Sequence, residues 1–234
     1  ELANKPLAGL QIRKINGVTK DPLSGVEFEV KTPEGALVGK YTTDETGNIF
    51  IGNLQPGAYI VTEMSTKENF TLDAQPRTVT VQSGEMTTEV FKNYEYPVLT
   101  LKKVDSETGQ PLAGAKFKLM DANYREIGVV TTSELGLVNV TKLDAGVYYV
   151  QETQAPNGYV LDSSVRQIVL DWGKTTVLDV KNTPRGSLRI QKVDSVTGKP
   201  LYNATFNLYD SKNNLLGEYT TDNTGMIVFA KQVT

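Results

Sequence analysis

The sequence has no cysteine and no histidine. The first absence excludes disulfides, thiol nucleophiles and thiolate metal sites. The second removes the commonest general base and metal ligand. No apolar run approaches the roughly 18 residues needed for a membrane-spanning helix. Charge of one sign is also lacking, since 24 Lys and Arg against 27 Asp and Glu leave a net −3. With no long basic run, this argues against nucleic acid or an anionic membrane surface as a partner. The opening residues ELANKPLAGL lack the basic start and apolar middle of a secretion signal. The expectation is therefore either a cytosolic chain or a part of a longer secreted protein. Outside the cell, small domains without disulfides need another source of stability.

What is present is a repeat. Lys14, Lys103 and Lys192 recur at a constant spacing of 89 residues. The same offset relates Pro22, Pro111 and Pro200; Phe28, Phe117 and Phe206; Thr43, Thr132 and Thr221; and Gly47, Gly136 and Gly225. It also maps Tyr59 to Tyr148, Glu63 to Glu152 and Asn93 to Asn182. Such coincidence without insertion identifies a tandem array of one module. The counterparts of Glu152 and Asn182 in the third copy would fall beyond Thr234. The expectation is a fragment of a longer chain, or a third module completed by another chain, because a half-built module exposes its core.

Each copy reads as all-β. LQIRKI, GVEFEV, NIFIGN, GAYIVTE and RTVTVQ are short runs rich in β-branched and aromatic residues. Gly, Pro, Asp and Asn punctuate them at the spacing of a β-sandwich. DETGN and DNTGM read as hairpin turns. NYEYPV (93–98) and NTPRGS (182–187) interrupt the strands and set the predicted domains at 1–95, 96–184 and 185–234, the last incomplete. Joints this short predict a stiff rod of tandem Ig-like sandwiches.

Strand parity then raises a chemical question. Leu10, Ile12 and Lys14 share one face of the first strand, as do Leu99, Leu101 and Lys103, and Leu188, Ile190 and Lys192. Each copy is thus predicted to aim a lysine inward. Tyr59, Val61 and Glu63 align in the same way, as do Tyr148, Val150 and Glu152. On the last strand, Phe91 aligns with Asn93 and Val180 with Asn182. Three inward polar groups are costly unless they satisfy one another. A salt bridge with a hydrogen-bonded Asn would suffice, and a covalent bond would do better. Burial lowers the pKa of a lysine and raises that of a glutamate, so the pair can exist as free amine and neutral acid. The amine can attack the Asn carboxamide while the acid hydrogen-bonds the amide oxygen and carries protons to the leaving nitrogen. Ammonia leaves and a Lys–Asn isopeptide bond remains. The fold holds the reactants together, an arrangement with effective molarities of roughly 10⁵–10⁸ M.

LTLKKVDSETGQPLAGAKFKL (99–119), YYVQETQAPNGYVL (148–161) and VKNTP (180–184) resemble the motifs of CnaB-type, prealbumin-like domains of Gram-positive surface adhesins and pilins. The second resembles the pilin E-box, and LRIQKVDSVTGKPLYNATFNLYD (188–210) repeats the first. The resemblance implies a seven-stranded sandwich. It assigns Lys103 and Lys14 as reactive lysines, Glu152 and Glu63 as catalytic acids, and Asn182 and Asn93 as acceptors. Lys192 is left unpaired. The first copy departs from the pattern: Asn16 stands where Asp105 stands, and EMSTKENFTL (63–72) lacks counterparts of Pro156 and Gly158. Neither an LPxTG-like sorting signal nor a YPK-like pilin motif occurs; the nearest string is YPV (96–98).

The expected function is a mechanical stalk of a bacterial cell-wall-anchored adhesin or pilin, located outside the cell and contacting neighbouring repeats. A host ligand would be met through another region. The rival is a module binding host matrix protein or glycan, for which eleven Tyr and Trp172 could supply a face. Core and cross-strand roles account for most of these tyrosines. Turnover of an external substrate is not expected, nor is any cofactor or metal. Asp44 and Glu45 read as a turn because Ser133 and Glu134 replace them in the second copy. Sequons at Asn69, Asn139 and Asn203 read as coincidental.

Overall fold

The computed structural model describes residues 8–186 and 188–229. No helix occurs among them. The first copy has seven strands: β1 (Ala8–Asn16), β2 (Glu27–Lys31), β3 (Leu37–Thr42), β4 (Asn48–Leu54), β5 (Gly57–Ser65), β6 (Arg77–Val81) and β7 (Met86–Asn93). They form two sheets, β4-β1-β7 and β3-β2-β5-β6. Alternation works as the sequence suggests. Leu10 and Ile12 from β1, Phe28 and Val30 from β2, Val61 from β5 and Phe91 from β7 are fully buried in one core between the sheets. Full burial of each such side chain is worth about 1.5–3 kcal/mol. Phe28 and Phe91 meet edge to face across this core, their centroids 4.9 Å apart.

The second copy repeats this order as β8 (Val98–Asp105), β9 (Lys116–Met120), β10 (Glu126–Thr131), β11 (Leu137–Val140), β12 (Gly146–Gln154), β13 (Val165–Leu170) and β14 (Thr175–Asn182). Its sheets are β11-β8-β14 and β10-β9-β12-β13. In the third copy β15 (Leu188–Gln191) pairs with β18 (Met226–Phe229), and β16 (Thr205–Tyr209) with β17 (Leu215–Thr220). Counterparts of β5, β6 and β7 do not occur among the described residues of that copy.

The turns DETGN and DNTGM are tight but are not hairpins, contrary to the sequence expectation. β3 pairs with β2 whereas β4 pairs with β1, so DETGN carries the chain from one sheet to the other; DNTGM does the same between β17 and β18. The hairpin-like composition has a local cause. Asp44 Oδ1 accepts the backbone N–H groups of Thr46 at 2.8 Å and Asn48 at 2.9 Å, which makes a compact turn whatever the strands do next.

Two residues shared by all copies fasten this crossing. The Thr43 hydroxyl donates to Leu23 O at 2.7 Å and accepts Val26 N–H at 3.0 Å. Thr132 and Thr221 make the equivalent bonds. Gly47 and Gly136 adopt φ of 74° and 67°, and a Cβ on either would run into the carbonyl oxygen of Lys14 or Lys103. Gly47→Ala is therefore expected to destabilise by at least the roughly 1–3 kcal/mol of a strained backbone. Thr43→Val, which orphans the Val26 N–H, should lose about 1–3 kcal/mol. Chemical denaturation of the single variants checks both.

Candidate functional site

β1 is the middle strand of its sheet, so its inward face meets only protein. Lys14 is clamped there by its backbone: its N–H donates to Gly47 O at 2.7 Å and its carbonyl accepts Leu23 N–H at 3.0 Å. Lys103 is held identically by Gly136 at 2.7 Å and Leu112 at 2.9 Å. Asn93 ends β7, which runs parallel to β1 with Lys14 opposite Phe91 and Asn16 opposite Asn93. The long lysine side chain therefore reaches diagonally forward to the asparagine. Glu63 comes from the facing sheet, on β5, paired with Phe28 of β2.

The three side chains meet in the core. Lys14 Nζ lies 2.6 Å from Glu63 Oε2 and donates to Asn93 Oδ1 at 2.5 Å. Asn93 Nδ2 donates to Glu63 Oε1 in a short hydrogen bond and to Thr66 Oγ1 at 2.7 Å. One carboxylate thus bridges two nitrogens. In the second copy Lys103 Nζ is in close contact with Asn182 Oδ1 and 3.3 Å from Glu152 Oε1. Asn182 Nδ2 donates to that same Oε1 at 3.0 Å, and Asp162 N–H donates to Glu152 Oε2 at 3.0 Å. Lys14, Lys103, Glu63, Glu152, Asn93 and Asn182 are all buried, and each trio lies within one compact unit of the chain. Among the described residues no buried side-chain nitrogen or oxygen lacks a partner.

The walls of the first cluster are the rings of Phe28 and Phe91, whose centroids lie 5.8 and 6.0 Å from Lys14 Nζ. Burial lowers the Lys14 pKa from its ordinary value, against the opposing pull of Glu63. Burial likewise lowers that of Lys103, against Glu152. Both amines are thereby brought closer to their nucleophilic, uncharged form. The glutamate meets the amide nitrogen, not the amide oxygen as the sequence argument had it. In both copies the asparagine NH₂ group turns toward the glutamate and leaves the carbonyl oxygen to the lysine.

The third-copy lysine, Lys192, has no complete sandwich around it among the described residues. Lys192 is exposed, one residue past β15. Its backbone is still clamped, by Gly225 at 2.8 Å and Leu201 at 3.0 Å. The strands that cover Lys14 and Lys103 have no counterpart among the described residues of this copy, so nothing encloses the side chain. Trp172 is half-buried, and its ring packs with those of Tyr94 and Tyr96, at 5.4 and 6.1 Å between centroids. No cluster of acidic residues suited to a metal occurs among the described residues.

Several contributors were missed from sequence. Thr66 was one, lying just beyond β5 where strand parity no longer applies. The Asn16/Asp105 difference has a partner in the fold. Asp105 Oδ1 caps the turn after β8 by accepting Glu107 N–H at 2.7 Å, and its Oδ2 accepts the Tyr159 hydroxyl at 2.8 Å. Asn16 caps the corresponding turn through Val18 N–H at 2.8 Å, and Phe70, at the offset of Tyr159, carries no hydroxyl. The two differences compensate one another, a signal present in the repeat alignment itself. Beside each cluster an arginine grips an aspartate four residues back: Arg77 with Asp73 at 2.7 Å, and Arg166 with Asp162 at 2.5 Å. Arg77 also lies 4.2 Å over the Phe91 ring.

A sandwich with first and last strands adjacent and parallel, repeated in tandem, defines a prealbumin-like array. The chain belongs to the family of SpaA prealbumin-like fold domains, whose model matches residues 8–95, 97–184 and 186–233. Among curated proteins it is 28% identical over 158 residues to the trypsin-resistant surface T6 protein of Streptococcus pyogenes, covering 68% of this chain and 27% of that protein. It is 26% identical over 255 residues to serine-aspartate repeat-containing protein F of Staphylococcus epidermidis, covering 88% and 14% respectively. The chain thus spans well under a third of the length of either relative. Among solved structures, the Bacillus anthracis TIE protein is similar at 29% identity and a TM-score of 0.48, covering 96% of this chain and 43% of that one. These relatives are proteins of Gram-positive bacteria.

Hydrogen bonds, first from the Thr108 N–H and then from the Tyr159 hydroxyl, hold the Asp105 carboxyl below its ordinary pKa. A depressed carboxylate contributes stability that is present at neutral pH and lost as pH falls through the lowered value. Asp105→Asn should therefore be less stable than the native protein at neutral pH, with the gap closing in acid. Asp105→Asn combined with Tyr159→Phe recreates the Asn16 and Phe70 pairing. It should be less destabilised than the sum of the single variants in a double-mutant cycle.

Proposed function

We propose that these repeats are stalk modules of a cell-wall-anchored surface adhesin or pilin-like protein, and that each complete copy closes an intramolecular Lys–Asn isopeptide bond. The modules span 1–95 and 96–184, with 185–234 the start of a third. Lys14 and Lys103 are the nucleophiles, Asn93 and Asn182 the acceptors, and Glu63 and Glu152 the proton carriers. The single observation that supports this best is the Glu63 carboxylate, with one oxygen on the attacking nitrogen and the other on the leaving nitrogen, inside a sealed core.

The uncharged lysine Nζ adds to the asparagine Cγ, and the carbonyl π pair moves to Oδ1. Glu63 takes a proton from Nζ and delivers it to Nδ2. The Cγ–Nδ2 bond breaks, ammonia departs and the carbonyl re-forms. The product is part of the protein, so each site turns over once and acts on no external substrate.

The topology suits load bearing. β1 and β7 run parallel side by side, so the chain enters at one end of the module and leaves at the other. A bond between Lys14 and Asn93 removes 79 residues from the stretched path. At about 3.4 Å per residue that is on the order of 270 Å of extension withheld. Closing such a loop stabilises by roughly 4–5 kcal/mol on the chain-entropy account, and does so without a reducible disulfide. This fits an extracellular position at the bacterial surface, with neighbouring repeats as partners and host ligands met by other regions of a longer protein.

The denatured protein should weigh two ammonia molecules less than its sequence. Glu63→Ala and Glu152→Ala should each restore one, and a mass equal to the sequence would remove the covalent reading. Because burial lowers the lysine pKa values, the free amine increases as pH rises through the lowered values, so bond formation should quicken as pH is raised through them. Mass analysis of protein folded at different pH values reads this directly. Under force, the Glu63→Ala variant should gain an unfolding step of about 270 Å that the bonded module lacks.

A further inference from the structure

The two clusters hold their reacting groups by different means. In the second copy a backbone group orients the acid: Asp162 N–H donates to Glu152 Oε2 at 3.0 Å. In the first copy the matching oxygen, Glu63 Oε2, faces Lys14 Nζ, and the extra contact falls on the asparagine. Asn93 Nδ2 gives one hydrogen to Glu63 Oε1 and the other to Thr66 Oγ1 at 2.7 Å. The second copy has Ala155 at this offset, with no hydroxyl to offer.

We propose that Thr66 is a further catalytic residue, holding the leaving nitrogen of Asn93 during bond formation in the first module. This rests on the isopeptide reading above. A carboxamide is planar, so anchoring both Nδ2 hydrogens fixes the direction of its oxygen and the tilt of Cγ toward Lys14. With one N–H on Glu63 and one on Thr66, Oδ1 is left to face Lys14 Nζ, as found. As Nζ adds to Cγ, Nδ2 becomes pyramidal and gains a lone pair. The proton delivered by Glu63 goes to that pair, while Thr66 keeps hold of an existing N–H. No proton is taken from the threonine, and ammonia departs with its three hydrogens. Thr66 is half-buried at the end of β5, three residues beyond Glu63. The same segment thus supplies both the proton carrier and the anchor.

The test uses the full chain made by cell-free synthesis, sampled over time, quenched in denaturant and weighed after proteolysis. The peptides joining Lys14 to Asn93 and Lys103 to Asn182 are followed separately. Thr66→Val, which keeps the shape without the hydroxyl, should slow the first bond about tenfold or more, the range of one lost hydrogen bond at a reacting atom. The second bond should form at its native rate. Thr66→Ser should restore the first bond to within a few-fold of native. To separate chemistry from folding, Glu63→Ala is compared with Glu63→Ala/Thr66→Val. Neither can close the first bond, so equal unfolding midpoints assign the rate effect to the reaction. Native-like kinetics in Thr66→Val, or a slowing matched by lost stability in the unbonded pair, would overturn the role of Thr66 while leaving the isopeptide reading intact. Absence of both cross-linked peptides from the native chain would instead overturn that reading.

Discussion

A lysine side chain sealed inside a β-sandwich is the constraint to which the rest of this structure answers. Lys14 and Lys103 occupy the middle strand of a sheet, with no path to solvent. Removing one partner from a buried ion pair commonly costs about 3–5 kcal/mol, because a charge is left without compensation. Every neighbouring feature serves that need. Around Lys14 the facing sheet contributes a carboxylate, the adjacent parallel strand a carboxamide, and apolar rings close the sides. A sandwich that only needed stability could fill the same space with leucine. Retaining three interlocking polar groups in each complete copy makes sense if they do something that leucine cannot.

The backbone around the lysine is as specified as its side chain. A glycine with positive φ presses against the lysine carbonyl in each copy, and a threonine hydroxyl ties the loop before it to the crossing between sheets. The same backbone contacts occur in the third copy. They are made within the first four strands, and in the two complete copies the later strands add acid, acceptor and cover.

Much of this was legible because two periodicities coincide. Period-two alternation placed Lys14, Glu63 and Asn93 on inward faces, and the 89-residue repeat showed that the placement recurs. Parity stops being informative where strands end, which is why Thr66 and the Asp162 amide went unseen. Both sit in the loop that follows the glutamate-bearing strand. Pairing of strands was also beyond reach. DETGN has the composition of a hairpin turn, and composition does not record whether the next strand stays in the same sheet. The direction of the carboxamide depended on which protons its neighbours can offer, a matter of contact that no spacing encodes. The Asp105–Tyr159 and Asn16–Phe70 exchange could have been read from the repeat, since the two positions change together.

The parallel pairing of β1 with β7 also bears on how such an array arises. A domain whose ends emerge at the same pole needs a long return segment before another can follow it. Here the chain departs from the pole opposite its entry, so a copied gene segment joined in frame requires no return segment. The constant interval between copies, free of insertions, is what growth by simple duplication leaves behind.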